Sequence, residues 1–324
     1  MMKKPGPARF LVSAAVLALA LPVAAQTYPD RPVRLIVPYA PGGSADIAAR
    51  LVVDAWAQNL GQPIVVENRA GAGGNIGMDT VAKAAPDGYM IGLQTVSLAI
   101  NPAIYPNMTF DTARDFAPIG MVATSQHVLV VNPKVDAKDT AGLIALAKRE
   151  PGKLTYGSAG SGSTFHMSAE LFKAMSGANI LHVPYRGGGP ALVDTMAGQV
   201  DMSFPVLSAA IAQVQAGKLR ALGVTGPKRS SLMPDVPTIA EGGVPGYSFE
   251  TWFMVVAPAG TPEPAITLLN AALNTALNSQ ALADRMAQQG FEPLPTTPAQ
   301  AKQRLTDELP MWSKLVKERN ITVD

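Results

Sequence analysis

Short apolar runs alternate with amphipathic stretches along most of this chain. Val33–Val37 is a β-rich run closed by Pro38. From Ser44 to Asn59, apolar Ile47, Leu51 and Ala55 recur at helical spacing until Gly61-Gln62-Pro63 ends the stretch. Ile64–Val66 predicts a second strand, Asn75–Ala84 a second helix and Met90–Leu93 a third strand. Such β-α-β-α-β alternation implies a parallel sheet with right-handed crossovers.

The pattern restarts further along. His127–Val131 predicts a strand and Thr140–Glu150 a helix. Leu154–Tyr156, Thr164–Met175 and Ile180–Val183 then read as strand, helix and strand, followed by a helix over Ala191–Ala197. Asp201–Phe204 and Ala221–Val224 are further short strands. Phe253–Ala257 predicts a strand that returns the chain to the first unit. The remainder is helical, roughly Ala265–Asn278, Ser279–Gln289 and Pro298–Glu318. The expected organisation is two α/β lobes, with residues 26–123 and 250–324 in one and 124–249 in the other. Two extended crossings, near Met121–Ser125 and Glu250–Phe253, would form the hinge.

Chemistry concentrates where strands give way to helices. Loop one (Tyr39–Asp46) offers Tyr39, Ala40, Gly42, Gly43, Ser44 and Asp46, with Ser44 expected as N-cap. Loop two (Arg69–Gly74) offers Gly71, Ala72 and Gly73, and Arg69 is expected to pair with a surface carboxylate. Loop three lies about 120 residues beyond loop one and clusters Ser158, Gly160, Ser161, Gly162, Ser163 and Thr164, with His166 just inside the helix. Loop four supplies Tyr185, Arg186 and Gly187. A glycine loop at a helix start exposes backbone N–H groups, and the helix dipole adds partial positive charge there. Hydroxyls and N–H groups suit a carboxylate without a formal cation. Each loop also has a plain structural reading as a tight turn with a cap.

Composition narrows the class. Lys3, Lys4 and Arg9 precede the apolar run Phe10–Leu21, and Val23-Ala24-Ala25 has small residues at cleavage spacing. This reads as an export leader over residues 1–25 and places the mature protein in the periplasm. An uncleaved anchor is the alternative. Of 26 basic residues, the leader holds three, leaving 23 against 24 acidic. The mature chain is near neutral, with no nucleic-acid footprint. There is no cysteine, so no disulfide supports the fold. Three scattered histidines without cysteine do not make a metal site, and no cofactor is expected. Nucleophile-elbow, phosphate-loop and dinucleotide fingerprints are absent; Ile76 occupies the third small-residue position of the last.

The motifs YPDRPVRLIVPYAPGGSAD (residues 28–46), VVENRAGAGGNIG (65–77) and APDGY (85–89) resemble the Bug-type receptors of tripartite tricarboxylate transporters. So do GSAGSGSTFHMSAEL (157–171), VPYRGGGPALVDTMAGQVD (183–201), PDVPT (234–238) and APAGTP (257–262), in family order. The resemblance implies a two-lobe, type II periplasmic-binding-protein architecture with a ligand cleft between the lobes. It implies a small carboxylate ligand, delivery to a two-component membrane permease, a monomer and no enzymatic activity. An exported enzyme acting on a carboxylate, with Ser163 and His166 as its local pair, remains open at this point. So does a receptor read by a sensor kinase.

Overall fold

The computed structural model describes residues 1–2, 28–39, 41–185 and 187–322. The greater part of the expected leader lies outside the described residues, as do Ala40 and Arg186. Among the described residues there are two sheets. The first begins with β1 (Val33–Val37), α1 (Ser44–Leu60), β2 (Ile64–Asn68), α2 (Asn75–Ala82), β3 (Met90–Thr95) and α3 (Ser97–Ile104). β1 pairs in parallel with both β2 and β3. Val33, Leu35, Ile36 and Val37 are all fully buried because helices cover both faces, so this strand reads as a continuous apolar run.

The chain then runs through β4 (Phe116–Gln126) directly into β5 (Val128–Val131), which belongs to the second sheet. That sheet continues with α4 (Thr140–Arg149), β6 (Thr155–Ser158), α5 (Thr164–Ser176), β7 (Leu181–Pro184), α6 (Gly188–Ala197), β8 (Met202–Ser203), α7 (Leu207–Gln215) and β9 (Arg220–Val224). β10 (Glu250–Pro258) returns to the first sheet, antiparallel to β3 and β4. α8 (Glu263–Leu277), α9 (Gln280–Gln288), β11 (Glu292–Pro293) and α10 (Pro298–Glu318) complete the chain. The strand orders are β11-β4-β10-β3-β1-β2 and β7-β6-β8-β5-β9. The architecture is two α/β lobes joined by two antiparallel strand passages.

Four elements, α3, β4, α7 and β11, were not in the sequence reading. Ser97–Ile104 forms a helix despite Pro102 within it. Leu98, Ala99 and Ile100 are buried along with Ser97 and Asn101 and only Pro102 is exposed, so the solvent side is too narrow to mark a period. Pro102 lacks the N–H that would bond the Leu98 carbonyl, and the Thr112 hydroxyl donates to that carbonyl instead, at 3.2 Å. Phe116–Gln126 is one long central strand, where Pro118 and Gly120 hid the pattern. Register shifts in β10 next to this stretch accommodate the proline.

The passage between lobes centres on His127, which is fully buried. Its backbone N–H donates to Thr225 Oγ1 at 2.8 Å. Its Nδ1 lies 2.8 Å from the Phe204 carbonyl, so Nδ1 carries the proton, and Nε2 accepts from the Thr251 hydroxyl at 2.8 Å. The ring meets Phe165 and Phe249 edge-on. Burial lowers its pKa to about 4.

Candidate functional site

Each glycine loop is held in shape by side chains behind it. In loop one, Asp46 is buried and accepts from the Gly42 N–H (2.9 Å), Arg50 Nε (3.0 Å) and Asn68 Nδ2 (2.9 Å). Burial opposes its charge, but these bonds outweigh burial and hold the carboxyl below its ordinary range. In loop three, Ser158 Oγ accepts from the Gly160 N–H and lies 2.6 Å from His182 Nε2. The Gly162 N–H donates to His166 Nδ1 at 3.0 Å, and Ser163 Oγ accepts from the His166 N–H, capping α5. The imidazoles of His166 and His182 stack 4.0 Å apart, at 6°. In loop four the Tyr185 hydroxyl donates to Asp194 at 2.7 Å, and burial raises its pKa to about 12.

These supports bring loops from both lobes to one cavity of about 500 Å³. From the first lobe it takes Tyr39, Gly43, Ser44, Gly73, Thr95, Ser97, Asn101 and Tyr105. From the second it takes Ser161, Gly162, Ser163, Thr164, Phe165, Gly187 and Gly188. Thr251 and Val206 line it beside the interlobe passage. Among the sequence candidates, Gly42, Asp46, Gly71, Ala72, Ser158, Gly160, His166 and Tyr185 do not line it. Arg69 lies 3.8 Å from Glu67. Thr95, Ser97, Asn101, Tyr105 and Thr251 were not anticipated. They sit on β3, α3 and β10 without a glycine loop to flag them.

The wall is electrostatically simple. No ionised side chain lines it among the described residues. The starts of α1, α3, α5 and α6 all contribute to it. α1 and α6 carry no side-chain cap, so their first N–H groups have no intramolecular side-chain acceptor, whereas the Ser97 N–H that opens α3 donates to Thr95 Oγ1 at 3.3 Å. The N-cap of α1 is Gly43, and Ser44 is the first helical residue. Ser44 and Thr164 hold equivalent first positions on α1 and α5, one in each lobe. Neither hydroxyl has a hydrogen-bond partner within the described residues. Replacing either by alanine is expected to weaken an anionic ligand by about 1.5–3 kcal/mol, one charge-assisted bond. Ser163→Ala would additionally uncap α5, so melting curves distinguish the two effects.

A model of the tripartite tricarboxylate transporter family receptor matches residues 48–321. The chain belongs to this family. Protein BugT of Bordetella pertussis is 41% identical over 306 residues, covering 94% of each chain. A solved structure described as a periplasmic transporter is 41% identical, with a TM-score of 0.82 over 92% of this chain and all of its own. An R. palustris protein, Rpa4515, solved with adipate, is 37% identical, with a TM-score of 0.83 over 91% of this chain and all of its own. MatC of Rhodopseudomonas palustris, solved with bound malate, is 31% identical, with a TM-score of 0.78 over 89% of this chain and all of its own. In this receptor no described helix is long and apolar enough to cross a membrane.

Proposed function

We propose that the chain is a periplasmic solute receptor that holds a small carboxylate between its lobes and delivers it to a two-component permease, acting as a monomer. The observation that carries this reading is the convergence of four helix starts, from both lobes, on one cavity with no charged side chain among its described lining residues. Helix dipoles and unpaired N–H groups favour an anion there. Water excluded by lobe closure would strengthen each of those contacts. The ligand stabilises the closed form only through contacts it makes in that form alone. We place the lobes at residues 26–123 with 250–324, and 124–249. In the cleft, loops one, three and four supply the anion contacts.

The chemistry of the Ser163–His166 pair favours a receptor over an enzyme. The Ser163 hydroxyl oxygen caps α5, and His166 Nδ1 is engaged by the Gly162 N–H, so neither is arranged as a base beside a nucleophile. The relatives solved with adipate and malate bring the same ligand class to this chain. A thermal-shift screen over four- to six-carbon mono- and dicarboxylates tests the proposal. At 100 times its Kd a true ligand stabilises the protein by about 2.7 kcal/mol. A panel without any stabilising carboxylate would refute it.

A further inference from the structure

One helix supplies a continuous stripe of the cavity wall. Ser97, Asn101 and Tyr105 lie four residues apart on α3, the last at its C-terminal cap, so they share one face. By helical rise, Tyr105 stands about 12 Å along the axis from Ser97, at the end where the dipole is negative. An anion held by the helix starts therefore leaves its other end to the Tyr105 side of the cavity.

The hydrogen-bonding capacity near Tyr105 is largely committed. Both Asn101 amide hydrogens are committed, donating to the Gly73 carbonyl of loop two at 2.9 Å and to Oδ1 of Asn75, the first residue of α2, at 2.8 Å. The Tyr39 hydroxyl donates to Gln94 Oε1 at 2.5 Å. The Tyr105 hydroxyl has no hydrogen-bond partner among the described residues. Burial raises its pKa, which keeps it protonated and therefore a donor. The hydroxyl sits against Gly73, another residue of the cavity wall. A Cβ at Gly73 would lie 2.7 Å from it, so the absent side chain is what leaves the phenol its place.

Tyr105 is also fixed from the backbone. Pro106 follows it and disfavours helical geometry at Tyr105, which adopts φ −98°, ψ 106°. Its N–H still closes the last helical turn onto the Asn101 carbonyl at 2.9 Å. Along its length α3 packs against α10. The phenol is thus a donor held in place before a ligand arrives.

We infer that Tyr105 is a specificity-determining residue, whose hydroxyl donates to a second, acceptor-bearing end of the ligand and so selects bifunctional acids over simple monocarboxylates. This rests on the carboxylate reading of the cavity. The test compares wild type and Tyr105→Phe by titration calorimetry with adipate and hexanoate, and with succinate and butyrate. Wild type is expected to prefer the dicarboxylate of a pair. Tyr105→Phe should weaken that dicarboxylate by about 10- to 100-fold and the matched monocarboxylate by less than about threefold. The ligand-free melting temperature should stay unchanged, because the hydroxyl lost had no partner in the protein. A variant that keeps the wild-type preference, or that weakens both acids of a pair equally, overturns the assignment of Tyr105 alone. A wild type that binds both acids of each pair equally also overturns it. If wild type binds none of the four, the carboxylate reading falls and this inference with it.

Discussion

Thr164→Asp is expected to abolish binding of an anionic ligand while leaving the fold intact or slightly more stable. Thr164 is the first residue of α5 and lines the cavity. A carboxylate in that position interacts favourably with the α5 dipole, by about 0.3–1 kcal/mol. The same charge would face the bound anion. At about 4 Å and an effective dielectric constant near 20, two like charges repel by roughly 4 kcal/mol, close to a thousandfold in Kd. Thr164→Asn serves as the neutral control and should retain most of the affinity. Calorimetry with a carboxylate that wild type binds measures the loss, and melting curves of the ligand-free proteins measure the fold. Wild-type affinity in the Asp variant would mean that the anion does not sit at the start of α5.

Acidification should destabilise the protein through His127 before its depressed carboxylates, Asp46, Glu67 and Glu170, begin to matter. The imidazole is buried at the passage between lobes, and its pKa is lowered to about 4. In the unfolded chain it titrates near 6.5. Between these values the unfolded state binds the extra proton, so stability rises with pH through the window and falls as pH drops from about 6.5 to about 4. The full loss is roughly 3 kcal/mol. Asp46, Glu67 and Glu170 have depressed pKa values, so their contributions are present above the ordinary carboxylate range and lost only at lower pH. His127→Gln should therefore flatten denaturation stability between about pH 6.5 and 4.5. His166 and His182 remain in both proteins and cancel in the difference. Parallel pH profiles for the two proteins would remove His127 as the cause. Because Thr251 and Phe165 touch this ring and also line the cavity, the variant reports on the floor of the site as well.

The periodic parts of the chain were legible without coordinates. Val33–Val37, the Ser44 helix and the Thr164 helix announced themselves because apolar spacing and flanking glycines are local properties. The two-lobe α/β class and the presence of glycine loops at strand ends followed from the same local signals, and the family from the resemblance of the quoted motifs. Two things depended on tertiary structure. The first is α3, in which only Pro102 is exposed, so burial left too little alternation to mark a helix. With it went Ser97, Asn101 and Tyr105, a stripe of the wall that no glycine loop points to.

The second is the direction in which each loop residue faces. Asp46, Ser158, His166 and Tyr185 are polar residues in glycine-rich motifs, and sequence alone does not separate a ligand contact from a brace. In the structure none of the four lines the cavity, and they bond to Arg50, His182, the Gly162 N–H and Asp194. Ser44 and Thr164, two positions from the braces Asp46 and His166, line the cavity without a partner among the described residues. The sequence by itself determined where donors gather, because backbone conformation near glycine and helix starts is local. Only the tertiary structure decided which donors remain available, because hydrogen-bond partners such as Arg50, Asn68, His182 and Asp194 come from elsewhere in the chain.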